Sequence, residues 1–508
     1  MKTLWHGGRI RTGRAGETAT WMLGDGSTVE ATGTGPHPAA ARRIDLEGAV
    51  VVPAFCDAHV HLPATGLLLS GMSFRGERSS ARIVHAFAER ARSGEALLFG
   101  GDFEDPLDEP LDRERLDAAV GDRPAVLARA DMHSCIVSSR VLDALDLSGL
   151  EGVDRDGSGR PTGHLRERAA AQAWTWFDSN LSQEQQRAAV ERAAEHACSK
   201  GVASVHEMHV VEWRGWESLE VTRAVAEAVP LEVVFYVATP DVARVDRLGL
   251  GRVGGDLFLD GSLGSHTAWM NEPYDPPPPE GTPPAGIAYR SDEELVAFCG
   301  HAQARGLQAA VHAIGDAAIE QALRAWEAVA RVAGAERVRA LGHRIEHFEC
   351  ASDAQLQRAA DLGLRASVQP AFDRLWGGAG GMYARRLGVE RAALMNRFGS
   401  MLERGIVVGA GSDSTVTPLD PFLQMAALRS HHVAGERIDA RRALGLHTRG
   451  AHALAGRDAS KGTLAPGMDA DFTLLDRDPV TVEVDELLQT EVLETWIGGR
   501  RAWPGSND

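Results

Sequence analysis

The sequence predicts an α/β fold, a (β/α)8 TIM-type barrel with a small β-sandwich built from both chain ends and an α+β insertion after the first barrel strand. Three observations carry that expectation. Short runs rich in Val, Ile, Leu and Ala recur through the middle of the chain, helical spacing separates several of them, and almost every run closes on His, Asp or Glu. Strands alternating with helices build parallel sheets. Eight of them suit a closed barrel, whose chemistry sits at the C-terminal ends of the strands.

The eight runs are "AVVVPAFCDAHVH" (49–61), "GVASVHEMH" (201–209), "LEVVFYVAT" (231–239), "GDLFLDG" (255–261), "LQAAVHAIGD" (307–316), "GHRIEHFE" (342–349), "LRASVQPAF" (364–372) and "IVVGAGSDS" (406–414). After the fifth, "DAAIEQALRAWEAVARVAG" has the apolar period of a helix, with Asp316 as its expected N-cap and Gly334 as its stop. In the fourth, strand alternation would put Asp256, Phe258 and Asp260 on one face.

The gap between the first and second runs is too long for one crossover. Residues 64–198 contain helical patterns and a further strand pattern, "PAVLARADMHS", so they read as an insertion of roughly 100 residues with connecting helices. Before residue 50 and after about residue 460 the pattern changes to short strands and turns. The expected division is 1–48 and 457–508 for the β-sandwich, 49–63 for the first barrel strand, 64–198 for the insertion and 199–456 for the main barrel. The stretch "PYDPPPPEGTPPAG" (273–286) reads as a proline-rich loop over the end of the fourth strand.

Composition narrows the function classes. The chain has 508 residues, 44% hydrophobic and 24% charged, as in globular proteins rather than disordered ones. A net charge of −18 argues against nucleic acid and anionic membrane as partners, because phosphates would find no cationic surplus. The N-terminus "MKTLWHGGRIRTG" lacks a signal-peptide core, so cytoplasmic residence is the expectation. Five scattered cysteines without a C-x-x-C pair point to reduced thiols and not to a disulfide framework or a thiolate zinc site.

The polar residues that close the runs carry the chemistry. In "DAHVHL", His59 and His61 stand at i and i+2 and face one way along a strand, so both can offer a nitrogen to one cation. His312, His347 and Asp413 close later runs and would meet them in the same cup. Imidazoles converging with a carboxylate suit zinc or a similar divalent ion.

Taken in order, "FCDAHVHL", "DMHS", "PTGHLRE", "FLDGSLGSHTAW", "VHAIGDAAI", "RIEHFE", "GSDSTVTPLDP" and "GTLAPGMDADFTLLD" resemble the amidohydrolase superfamily, in the branch that includes N-substituted formamide deformylases. The resemblance runs from about residue 4 to residue 500. It implies that His59, His61, His312, His347 and Asp413 surround the metal centre, and that a carbamylated lysine on the fourth strand bridges two ions. This chain departs from the pattern, with Asp256 where the lysine is expected just before "LFLDG".

A carbamylated lysine carries its carboxylate roughly 4 to 5 Å farther from the backbone than aspartate does. The expectation is therefore one ion, most simply Zn2+, held by His59, His61, His312 and Asp413, with His347 as a ligand or a polariser of the substrate. A rebuilt two-ion site would need another acid, with Glu167 and Asp260 as candidates. In either case the expected reaction is hydrolysis of a C–N bond in an amide, N-formyl or N-acyl small molecule. Asp413 would serve as general base for an activated water.

His133 and Glu167 belong to the insertion, and the resemblance suggests that they reach the substrate. His206, Glu207 and His209 follow the second strand and could support the ligands. His266 reads as an exposed loop residue, and Trp269, Trp376 and Phe372 as packing residues. The expected partner is a small amide-type molecule, and the chain is expected to form a homodimer. Two rival functions stay open: a deaminase of a small heterocycle on the same scaffold, and a metal-free binding or scaffold protein.

Overall fold

A computed structural model describes residues 2–14, 16–278 and 282–505. Eight parallel strands organise its centre: β1 (Phe55–Val60), β2 (Val202–Val210), β3 (Glu232–Ala238), β4 (Arg252–Val253), β5 (Gln308–Ala313), β6 (Arg344–His347), β7 (Arg365–Val368) and β8 (Val407–Ala410). They pair as two arcs, β3-β2-β1 and β4-β5-β6-β7-β8. Backbone hydrogen bonds join the arcs at both seams. Gly254 N–H donates to Val237 O at 2.8 Å, while Asp413 N–H donates to His59 O at 2.8 Å and His61 N–H to Ser414 O at 3.0 Å. Asp57 reinforces the second seam, accepting from the amides of His59 at 3.1 Å and Ser412 at 2.9 Å.

The strands are buried on both faces, which is why they read as apolar runs without alternation. Helices such as Gln183–Ser199 and Asp316–Ala333 cover them with one apolar side each. The second of these starts one residue earlier than its expected cap implies. Gly315 takes the N-cap position, and the Asp316 carboxylate accepts instead from the Asn271 amide at 2.8 Å. Gly334 ends the helix as expected, at φ 93°.

The fourth run departs most from its sequence pattern. Regular strand stops at Val253, and Gly254 and Gly255 follow with φ of 88° and 82°. A side chain at either would collide, 1.9 Å from Ala310 O and 2.6 Å from Met208 Sδ, so glycine is required at both. The kink breaks the alternation expected of Asp256, Phe258 and Asp260. Phe258 makes one parallel bridge to His312 and packs on Trp213 at 4.9 Å. Asp260 turns to accept from the amides of Trp269, Ile314 and Gly315 at 2.7–3.0 Å.

Segments 2–53 and 472–503 hydrogen-bond into one eight-stranded sheet around Trp5, Phe472 and Trp496. The long excursion after β1 contains a six-stranded sheet running from Met72 to Arg166, with two apolar clusters of its own. Of the proline-rich loop, residues 279–281 lie outside the described residues. The rest folds back on 267–274, with Ala285 O accepting from Met270 N–H and Pro284 O from Tyr274 N–H, both at 2.8 Å. Among the described residues, no helix is long and apolar enough to cross a membrane.

Candidate metal centre

His59, His61, Asp256, His312, His347 and Asp413 meet in one buried space at the C-terminal ends of β1, β5, β6 and β8 and just past β4. His59 Nε2 lies 3.3 Å from Asp256 Oδ2 and 3.6 Å from Asp413 Oδ1, and His61 Nε2 lies 3.1 and 3.2 Å from the same two oxygens. The other oxygen of Asp256, Oδ1, is 3.6 Å from both His312 Nδ1 and His347 Nε2. Asp256 thus sits between two pairs of imidazoles. Its short side chain, expected to fall out of reach, faces both pairs because the Gly254–Gly255 kink carries its backbone to the site.

The residues fit a divalent ion on several counts. A tetrahedral ion with ligands at 2.0–2.1 Å has ligand-to-ligand edges of about 3.3 Å. The nitrogen–oxygen separations of 3.1–3.6 Å around His59, His61, Asp256 and Asp413 match those edges. His59 Nε2, Asp256 Oδ1, His312 Nδ1, His347 Nε2 and Asp413 Oδ1 are all buried without a hydrogen-bond partner. Buried polar atoms are ordinarily paired, so five aimed at one space mark a site built for something else. Two carboxylates there, Asp256 and Asp413, also bring a double negative charge that favours a cation.

The far side of each imidazole is held. His59 Nδ1 is 2.9 Å from Glu346 Oε2, His61 Nδ1 2.9 Å from Met208 O, His347 Nδ1 2.8 Å from Gln369 Oε1 and His312 Nε2 3.3 Å from Gly261 O. Every one of those partners is an acceptor. The proton of each neutral ring is therefore drawn to the outer nitrogen, and the inner one keeps its lone pair for a metal. Glu346 is in turn held by Arg344 at 2.8 Å, which also donates to Ala58 O and meets His206 Nδ1, each at 2.9 Å.

Charge in the site follows from this packing. Burial opposes a positive imidazole, yet Asp256 and Asp413 outweigh it at His59 and His61, pushing His61 up to about 10. Burial and then the His347 charge push His312 down to about 4. For Glu346 burial acts upward, but Arg344 and His59 hold it below the usual carboxylate range. His347 and Asp413 also carry left-handed backbones, φ 68° and 52°, uncommon for side chains other than glycine and typical of functional sites.

Other expectations meet mixed outcomes. Asp260 and Glu167 are not alternative bridging acids. Asp260 is saturated by three amides, with burial raising it to about 7, and Glu167 is hydrogen-bonded to Tyr289 and lies 3.0 Å from His133 Nδ1. His133 lines the same cavity as His312, and Glu167 stands behind it as its partner. Glu207 accepts from Leu62 N–H at 2.6 Å, fixing the turn that carries His61, and His206 lies under the site against Arg344. His266 is buried rather than exposed, its ring edge-on to Tyr274 at 5.2 Å.

The cavity over the centre is about 400 Å3. His312, His347 and Asp413 form part of its wall, and Phe372 and Trp376 line it, so those two aromatics do more than pack. Trp269 does pack, against the main hydrophobic core. Arg129, His133 and Arg166 reach the cavity from the segment that follows β1, and Glu104 of the same segment accepts from Trp376 Nε1 at 2.8 Å. Sequence reasoning counted Glu346 among the acids closing the runs but missed Arg344, although "RIEHFE" places it near a ligand, and missed Gln369, which carries no comparable signal.

A buried cluster of imidazoles and carboxylates at the C-terminal ends of parallel strands defines a metal-dependent hydrolase of α/β fold. Comparison with known proteins agrees: residues 42–502 match the amidohydrolase family. The chain belongs to that family and is an amidohydrolase acting on C–N bonds. It is 28% identical to YtcJ of Bacillus subtilis, over 98% of this chain and 99% of that one. The N-substituted formamide deformylase of Arthrobacter pascens is 26% identical, over 90% of this chain and 89% of its own length. An uncharacterised metal-dependent hydrolase from Pyrococcus horikoshii OT3 superposes with a TM-score of 0.76 at 27% identity, covering 96% of this chain and 99% of that one.

Proposed function

We propose that this protein hydrolyses the C–N bond of a small amide, N-formyl or N-acyl compound at a zinc-type centre in a closed (β/α)8 barrel. The observation that carries the reading is the convergence of five buried, partnerless polar atoms from His59, Asp256, His312, His347 and Asp413, next to a cavity of small-molecule size. The ligands are His59, His61, His312, His347, Asp413 and Asp256. The reach of Asp256 to both pairs of imidazoles would let it help hold two ions, in place of the single ion expected from its length.

A divalent ion bound there supplies Lewis acidity, lowering the pKa of a water toward about 7 and polarising a carbonyl. Asp413 accepts the proton of the attacking water at its carboxylate and passes it to the leaving nitrogen as the C–N bond breaks. One water is consumed, and a carboxylic acid and an amine are released. His133, oriented by Glu167, offers its remaining ring nitrogen toward the substrate. Phe372 and Trp376 exclude bulk water from the bond being cleaved.

The test is a screen of N-formyl, N-acyl and cyclic amide substrates against metal-loaded protein, following acid and primary amine release. Amine release supports hydrolysis of an amide. Ammonia from a heterocycle would replace this reading with a deaminase, and a protein with neither bound metal nor turnover would favour the binding role.

A further inference from the structure

Five guanidinium groups line the cavity: Arg78, Arg129, Arg166, Arg385 and Arg386. Three of them meet carboxylates. Arg78 pairs with Glu104 at 3.0 Å, Arg129 with Asp131 at 2.5 Å and Asp105 at 3.2 Å, and Arg166 with Asp154 at 3.0 Å. Arg386 differs. It makes no ion pair among the described residues, its Nη2 donates to Gly264 O at 3.1 Å, and its Nε is buried with no partner. Arg385, exposed beside it, donates to Gly380 O at 2.5 Å.

Arginines act on His266 at this end of the cavity. Burial, then Arg386, Arg129 and Arg166, push His266 down to about 4, so that ring is neutral at pH 7. Burial, Arg129 and Arg385 likewise act against the charge of Arg386, and the nearby Asp105 is already paired with Arg129. A half-buried guanidinium with spare donors, facing a cavity whose other wall carries the metal ligands, lacks a counter-ion within the protein.

We propose that Arg386 binds a carboxylate on the substrate, so that the preferred substrates are N-formyl or N-acyl amino acids or similar acids bearing an amide. This rests on the hydrolase reading of the metal centre. A guanidinium presents a planar pair of N–H donors that matches a carboxylate. The amide then lies toward His347 and Asp413, and the carboxylate toward Arg386 and Gly264.

The experiment compares N-acetyl and N-formyl amino acids with the corresponding neutral amino-acid amides, on metal-loaded protein. Binding is read by calorimetry in the Asp413→Asn background, and turnover by amine release in the parent. The acids are expected to bind at least about tenfold tighter than their amides, the worth of a charge-assisted hydrogen bond. In Arg386→Met that preference should fall to about one, and Arg386→Lys should keep part of it, each with unchanged metal content as proof of folding. Equal binding of acids and amides by the Asp413→Asn protein, or a preference that survives Arg386→Met, would overturn the proposal. If the acids bind selectively but no amide is cleaved by the parent, the anion site stands and the hydrolase reading fails.

Discussion

Asp256 Oδ2 lies 3.1 Å from His61 Nε2, while the second oxygen of the same carboxylate faces His347 Nε2 at 3.6 Å. One aspartate therefore stands where the resemblance to relatives leads one to expect a carbamylated lysine. A carboxylate that is part of the chain needs no carbon dioxide to form. Metal loading of the purified protein, measured by elemental analysis, is expected to reach about two ions per chain whether or not bicarbonate is present. In Asp256→Asn it should fall to one or fewer; a value of one in the parent would return the site to a single ion.

In the proposed reaction Asp413 carries the proton. Asp413→Asn removes the base but leaves an oxygen donor, so turnover should fall by about 10²- to 10⁴-fold with metal content largely retained. Near-normal turnover in that variant would exclude Asp413 as general base.

Glu346 orients His59 from behind, 2.9 Å from its Nδ1, and is itself fixed by Arg344. Glu346→Gln keeps the shape but weakens the pull on the imidazole proton and leaves Arg344 without its counter-charge. Metal affinity is expected to drop by about 10- to 100-fold. Competition with a chelator gives the readout, and an unchanged dissociation constant would mean that Glu346 serves packing alone.

Gly254 holds φ at 88°, and a methyl there would sit 1.9 Å from Ala310 O. Gly254→Ala must pay for both the left-handed backbone and the collision, at a cost of about 2 kcal/mol or more. The expected outcome is a lower Tm together with loss of bound metal, since the kink carries Asp256. Loss of stability with full metal content would separate the kink from the site.

His343 ties stability to pH. It accepts from Ala309 N–H at 2.9 Å, stands 3.0 Å from Gln303 Oε1 and stacks on Trp326 at 3.8 Å, and burial followed by the charge of Arg365 pushes it down to about 3. The unfolded chain takes up a proton near 6.5 that the folded chain refuses. This contribution is therefore intact above about pH 6.5 and is lost as pH falls toward 3, by about 1.4 kcal/mol per unit. Measured as Tm against pH, His343→Gln should flatten the decline between pH 6.5 and 4.5; an unchanged slope would place the titration elsewhere.

The sequence by itself determined the α/β class and the histidines and aspartate that meet in the buried cluster. Strand periodicity puts His59 and His61 on one side, and run ends place His312, His347 and Asp413 at one rim, because both rules act over a few residues. The role of Asp256 was not legible in the same way. Alternation assumes an extended strand, and two glycines with positive φ interrupt it, so which way Asp256 points depends on the chains packed against that kink. Glu346 and Gln369 likewise acquire their meaning from the imidazoles they face across neighbouring strands. Arg386 is the extreme case. Its lack of a counter-ion is a fact of the folded wall, where it meets Gly264 and the field of Arg129, residues more than a hundred positions away in the chain. Local spacing reports the period of a backbone, whereas the pairing of charges and the reach of a carboxylate are set by distances that exist once the parallel strands and the segment after β1 have come together.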